Sequence, residues 1–138
     1  MKKYLLKKGI LIAVEGIDGA GKTTQVRRLK DHFSRIGLSV VTYKEPTDGN
    51  YGQLIRKLAK DGRDNVTPED EMELFLKDRK EDCNINIKPS LEKNKLVLMD
   101  RYYFSSIAYQ GSRGLDVNHI WNKNEKIAII PDLVIILD

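Results

Sequence analysis

Residues 16 to 23, Gly16-Ile17-Asp18-Gly19-Ala20-Gly21-Lys22-Thr23, fit the spacing G-x-x-x-x-G-K-[ST] at every fixed position, and Thr24 follows them. Each residue type answers a physical demand. Glycines let the backbone curl so that successive N–H groups point inward at phosphate oxygens. A helix beginning there adds the positive end of its dipole. Lys22 supplies a point charge between the outer phosphates, and the Thr23 hydroxyl is placed to ligate Mg²⁺. An apolar run, GILIAVE, precedes the loop and an amphipathic stretch follows it, which is the strand–loop–helix context this spacing requires. The loop predicts a nucleoside triphosphate held with magnesium. It leaves the acceptor open, because kinases, GTPases, ATPases and helicases share it.

Three further constellations narrow that choice. Asp18 is an acid inside an anion-binding loop, so it needs a sugar hydroxyl, Mg²⁺ or its water shell, or an arginine beside it; otherwise it is a plain surface aspartate in a turn. Asp100 ends the apolar run KLVLMD, where a carboxylate can hold Mg²⁺ or its water. Arg101 follows at once and can fork two N–H groups onto a phosphate. The plainer alternative is a surface Asp-Arg pair capping the next helix. Arg79 falls in an apolar stripe with Met72, Phe75, Leu76, Cys83 and Ile87, and an unpaired guanidinium is costly to bury. Either Phe75 stacks on a base while Arg79 donates to its carbonyl, or Phe75 is core and Arg79 snorkels to an acid such as Asp82. No N-K-x-D for guanine occurs, and the chain is too short for a helicase core, which leaves a small phosphotransferase.

The elements that must position these residues follow from periodicity. Strands are predicted at 9–15, 38–43, 95–100 and 132–138. Helices are predicted at 22–36, 51–61 and 102–110, and from a Thr67 cap to about Lys88, before Pro89. A last helix, capped by Asp116, carries Val117, Ile120, Trp121, Asn124 and Ala128 in one stripe. Strands alternating with helices predict an α/β fold, a P-loop NTPase three-layer sandwich with a mainly parallel sheet of about four strands. Residues 1–138 read as a single domain ending at its fourth strand.

Composition sets outer bounds. With 41% hydrophobic and 32% charged residues, the 138-residue chain is of globular type. Its net charge of +4 is 24 basic minus 20 acidic residues, and Lys2, Lys3, Lys7 and Lys8 account for all of it. The remainder is balanced, so no basic stripe for nucleic acid is present. No apolar run approaches the ~20 residues of a membrane span, and the N-terminus lacks the pattern of a secretory signal. The one cysteine, Cys83, excludes an intrachain disulfide, suits a cytoplasmic location, and reads as a buried thiol rather than a nucleophile.

Taken together, VEGIDGAGKTTQ, YKEPTDG, GQLIRKL, ELFLKDRKE, IKPSLEKNKLVLMDRYYFSSIAYQG and PDLVIILD resemble the thymidylate kinases, nearest to archaeal-type members. DRYYFSSIAYQG is the most specific of these pieces. The resemblance implies phosphorylation of dTMP to dTDP by Mg·ATP in the cytoplasm, by a homodimer paired through helices, with Met72, the surroundings of Ile85 and residues 102–110 as candidate contacts. Lys22, Asp18 and Arg101 would be catalytic, and Gly16 to Thr24 would hold ATP. Thr23 and Asp100 would serve the metal. Asp18 would meet the sugar hydroxyl, Glu45 and Pro46 would line the acceptor site, and Phe75 would stack on thymine. Arg79 would read the thymine carbonyl edge, Arg101 would hold the acceptor phosphate, and Ser106 and Gln110 would lie beside the base. Tyr109 would crowd the sugar's second carbon, or be a core aromatic. Three departures stand out: Lys44 where many members have arginine, Gly19 where some carry a catalytic arginine, and no lid or last strand after residue 138. A kinase for another nucleotide or nucleoside, and a nucleotide-binding module without catalysis, stay open.

Overall fold

Four short apolar segments pair side by side in the computed structural model, which describes residues 5–138. They are β1 (Ile10–Gly16), β2 (Val40–Lys44), β3 (Leu96–Asp100) and β4 (Leu133–Leu137), in the order β2-β3-β1-β4. All three neighbouring pairs are parallel. Side chains alternate across the sheet. Leu11, Ala13, Val97 and Met99 pack on Cys83, Ile87, Tyr102 and Tyr103 on one face. Val14, Leu96 and Leu98 pack on Val26, Leu29 and Phe33 on the other. The central strands are thus covered on both sides, which explains their unbroken apolar runs. This is the expected three-layer α/β sandwich, its described sheet wholly parallel.

The helices meet the expectations unevenly. α1 (Lys22–Arg35) stops where Gly37 turns left-handed at φ 100° and Leu38 N–H returns to Phe33 O at 3.0 Å. Ile36, expected in its stripe, is exposed instead. In α2 (Asn50–Asp61) Ile55 turns inward while Leu54 faces out. α3 (Pro68–Asp82) starts as predicted, with Thr67 Oγ1 accepting from Asp70 N–H at 3.0 Å.

The expected stop before Pro89 does not occur. The helical course widens into a π-turn (Cys83–Ile87) and continues as α4 (Lys88–Glu92). Proline lacks the N–H and crowds the carbonyl one turn back; here it stands in the first turn after a widened one, where that donor is not needed. α5 (Tyr103–Ser112) and α6 (Val117–Glu125) complete the set. Asp116 caps α6 as expected, but the helix closes before Ala128, and only Ile120 and Asn124 of the predicted stripe are buried. Met72 is fully buried and is therefore no surface for pairing two copies, whereas Ile85 is exposed.

The carboxyl ends of all four strands, Gly16, Lys44, Asp100 and Leu137, open on one edge. β1 lies between β3 and β4, at the point where the connections diverge, and ligands of open parallel sheets bind there. Of the N-terminal lysines, Lys2 and Lys3 lie outside the described residues, and Lys7 and Lys8 are exposed. Among the described residues no helix is long and apolar enough to cross a membrane.

Candidate active site

One end of the site is built from backbone. Gly19 and Gly21 are left-handed, with φ of 81° and 92°, and no atom lies within 4 Å of the place a Cβ would occupy on either. The open space over them forms part of a hollow of about 280 Å³ bordered by Asp18, Lys22, Thr23, Lys44, Asp100 and Arg101. Lys22 is 6% exposed and folds back over the loop, its Nζ donating to Ile17 O at 2.7 Å. Ile17 and Thr24 face solvent, and Ala20 N–H closes the turn onto Ile17 O at 3.2 Å.

The register of the sheet delivers the acids. Asp100 pairs with Val14 of β1 on one side and Lys44 of β2 on the other. It is buried, and its Oδ2 accepts from Thr23 Oγ1 at 2.7 Å. Arg101 turns left-handed at φ 71°, with its N–H bonded to Val14 O at 3.0 Å, so the chain leaves the strand sharply. That conformation costs a non-glycine residue about 1–2 kcal/mol. It brings the guanidinium onto Asp18, and of the partners open to Asp18 the arginine is the one observed.

Side chains build the other end. Arg79 is 2% exposed, and its ion pair is with Glu45 rather than Asp82. Its Nε donates to Glu45 Oε1 at 2.8 Å, Nη1 to Asn124 Oδ1 at 2.5 Å and Nη2 to Ser106 Oγ at 3.0 Å. The Tyr102 ring lies 5.6 Å below the guanidinium. Snorkelling is thereby replaced by a fixed plane with two N–H groups to spare. One turn on from Ser106, Gln110 is 1% exposed, and neither its Nε2 nor its Oε1 has a partner. A buried amide left so costs about 1–3 kcal/mol.

Buried carboxyls support this end. Glu45 Oε2 and Asp82 Oδ2 are both buried without a hydrogen-bond partner, and one proton shared between these neighbouring carboxyls would satisfy both. Burial pushes both carboxyls up, Glu45 well above its ordinary value, against the opposing pull of Arg79. The 2.8 Å ion pair sets the other Glu45 oxygen, Oε1, against Arg79. Asp78 fixes the loop after β2, accepting from Thr47 N–H at 2.9 Å and Thr47 Oγ1 at 2.6 Å. Glu15, also pushed up by burial, accepts from Tyr102 N–H at 2.6 Å and from Ser105 N–H at 2.5 Å.

A cavity of about 850 Å³ carries Asp18, Arg101, Phe104, Ser105 and Tyr109 on its walls. Tyr109 is 39% exposed and is thus no core aromatic. The expected residues come together as three groups: Thr23 with Asp100, Asp18 with Arg101, and Glu45 with Arg79 and Ser106. Phe75 is half-buried and belongs to none of the three apolar clusters of described residues. Pro46 follows Glu45 directly and lines a further hollow with Lys44, Asp48, Arg56 and Asp82. Sequence reasoning missed the roles of Glu15, Asp78, Asp82 and Asn124. Asn124 carried a usable signal, a polar residue in an apolar stripe, as Arg79 did.

Comparison with known proteins agrees with this fold. The family model described as thymidylate kinase matches residues 14–138. The chain is 50% identical over 129 residues to a probable thymidylate kinase of Archaeoglobus fulgidus, covering 94% of this chain and 64% of that protein. It is 49% identical over 129 residues to a thymidylate kinase of Desulfotalea psychrophila, covering 94% and 63%. The crystal structure of thymidylate kinase from Ehrlichia chaffeensis superposes with a TM-score of 0.85 at 36% identity, covering 95% of this chain and 72% of that one. The chain thus spans just under two thirds of the length of these curated relatives.

Proposed function

The chain belongs to the thymidylate kinase family, and from that premise we propose that it binds dTMP as acceptor and Mg·ATP as donor. The γ-phosphoryl group passes to a phosphate oxygen of dTMP, the bond to the β-phosphate oxygen breaks, and ADP and dTDP result. The observation that carries this reading is the buried pair of Arg79 and Gln110. Arg79 offers only donors, which suit a thymine carbonyl and reject the amino group that cytosine carries at that place. Gln110 offers an unpartnered donor and acceptor to the adjoining imide edge. Phe75 stacks on the ring, Glu45 and Ser106 hold Arg79, and Pro46 shapes the loop behind them.

At the phosphate end Arg101 releases Asp18 to grip the acceptor phosphate, and Asp18 turns to the sugar. Lys22 moves from Ile17 O to the donor's outer phosphates, where the glycine-rich loop receives them. Thr23 and Asp100 fit a hard cation, since their oxygens are already 2.7 Å apart beside the loop. Among the described residues no cluster of three acidic, His or Cys side chains exists, so such an ion would complete its shell with phosphate and water oxygens. Magnesium, when bound, supplies neutralisation of phosphate charge. No general base is required, because the acceptor phosphate is already an anion.

The test is calorimetric binding of dTMP, dUMP, dCMP, dGMP and UMP to the chain. Preference for dTMP, with dCMP at least tenfold weaker, supports the reading. Equal binding of dTMP and dCMP by the folded chain refutes the Arg79/Gln110 assignment. ATP binding with no ADP formation in the presence of dTMP would favour a module without catalysis.

A further inference from the structure

Tyr109 stands on an exposed helix face, where a tyrosine side chain has freedom to swing. Its ring is nevertheless covered: the Arg63 guanidinium lies 5.4 Å from the ring centroid, within cation–π reach. Arg63 belongs to the short connection between α2 and α3, just after Gly62 at φ 99°. Such a connection would not hold a side chain still without an anchor. The anchor is Glu71, whose Oε1 accepts from Arg63 Nε at 3.0 Å.

Glu71 is unusual among the acids at the start of α3. Glu69 and Asp70 face solvent and serve the helix dipole, whereas Glu71 is 1% exposed. Its second oxygen takes Arg113 Nη1. Arg113 directly follows α5 and lies four residues beyond Tyr109. One buried carboxylate therefore ties the α2–α3 connection, α3 and the end of α5 together. It faces two guanidinium groups, so one positive charge stays uncompensated, and Arg63 presents its share to the electron-rich face of Tyr109.

We propose that Arg63 and Glu71 are positioning residues for Tyr109, holding its ring at the cavity wall and so setting discrimination between deoxyribose and ribose. The proposal rests on the reading of Tyr109 as the group that crowds the sugar's second carbon. Neither Arg63 nor Glu71 touches the cavity; both act through the ring. With Arg63 removed, the ring swings and admits a 2′-hydroxyl, while the contacts that bind base and phosphate persist.

The test is the affinity ratio of dTMP to its ribose counterpart, 5-methyluridine 5′-monophosphate, measured by calorimetry on the whole chain. Glu71→Gln strands two arginines and is at risk of not folding, so Arg63→Met carries the test, with Arg63→Lys and Tyr109→Ala beside it. In Arg63→Met the deoxy-to-ribo ratio should fall about two- to fivefold, the size of a cation–π contact, through tighter ribonucleotide binding, with dTMP affinity changed less than twofold. Arg63→Lys should recover much of the ratio. A ratio that collapses in Tyr109→Ala but is unchanged in Arg63→Met overturns the positioning role alone. Equal weakening of both nucleotides in Arg63→Met marks a merely structural role and overturns it too. No discrimination in the unaltered chain, or none lost in Tyr109→Ala, overturns the reading of Tyr109 and the proposal with it.

Discussion

The molecule holds two arginine–carboxylate pairs at the carboxyl edge of its sheet and treats them oppositely. Arg101 meets Asp18 with 33% and 90% of the side chains exposed, while Arg79 meets Glu45 with 2% and 3% exposed. An exposed pair contributes about 0–1 kcal/mol and is easily exchanged, so a doubly charged phosphate can take Arg101 from Asp18. A buried pair is costly to form and costlier to break, and Arg79 has further bonds to Asn124 and Ser106. On the proposed function the difference amounts to a division of labour: the phosphate end yields to its ligand, and the base end is set before any ligand arrives.

Replacing each part in turn would break or sharpen that contrast. The largest effect belongs to Arg79→Leu, which leaves the Glu45/Asp82 couple buried without its counter-charge; chemical denaturation should show a loss of about 3–5 kcal/mol. A loss below about 1 kcal/mol would mean the base end is not preset. Gly21→Ala comes next. The left-handed φ of 92° costs alanine about 1–2 kcal/mol, and the methyl enters the space over the loop. Calorimetry should find ATP binding weakened while dTMP binding holds, and parallel loss of both ligands would contradict the separation of the two ends.

A smaller effect concerns pH. Glu45 and Asp82 are both raised, so over a window that opens at the ordinary 4.5 and 3.8 the folded chain holds more protons than the unfolded one. Stability must then fall as pH rises through that window. Thermal melts from pH 5 to pH 8 should decline, and Asp82→Asn, which supplies Glu45 with a permanent donor, should flatten the slope; an unchanged slope counts against the shared proton. The smallest effect is that of Asp18→Asn, which should alter stability by less than about 1 kcal/mol in a denaturant titration. A larger loss would make the phosphate end as rigid as the base end.

The same division explains what could be read from the sequence. The loop from Gly16 to Thr24 encodes its conformation in contiguous residues, and Asp100-Arg101 is marked by the end of an apolar run, so both were legible, as were all four strands. Arg79 announced itself as a charge in an apolar stripe. Its partners did not, because Ser106, Glu45 and Asn124 lie 27, 34 and 45 residues away and are assembled only by the fold. The burial of Glu71 was hidden for the same reason, since beside Glu69 and Asp70 it looks like one more dipole acid. The π-turn before Pro89 escaped because proline usually ends a helix and here only widens it.

Trp121 gives the site an optical consequence. It is the chain's one tryptophan, and its indole sits edge-on to Phe104 at 5.6 Å and to Tyr103 at 6.1 Å. Phe104 is a wall of the larger cavity. Light absorbed by the tyrosines drains to this single emitter, and a nucleotide that shifts Phe104 alters the emitter's surroundings without touching it. The chain thus carries its own fluorophore one ring removed from that cavity, an unlabelled real-time reporter for any ligand that moves Phe104.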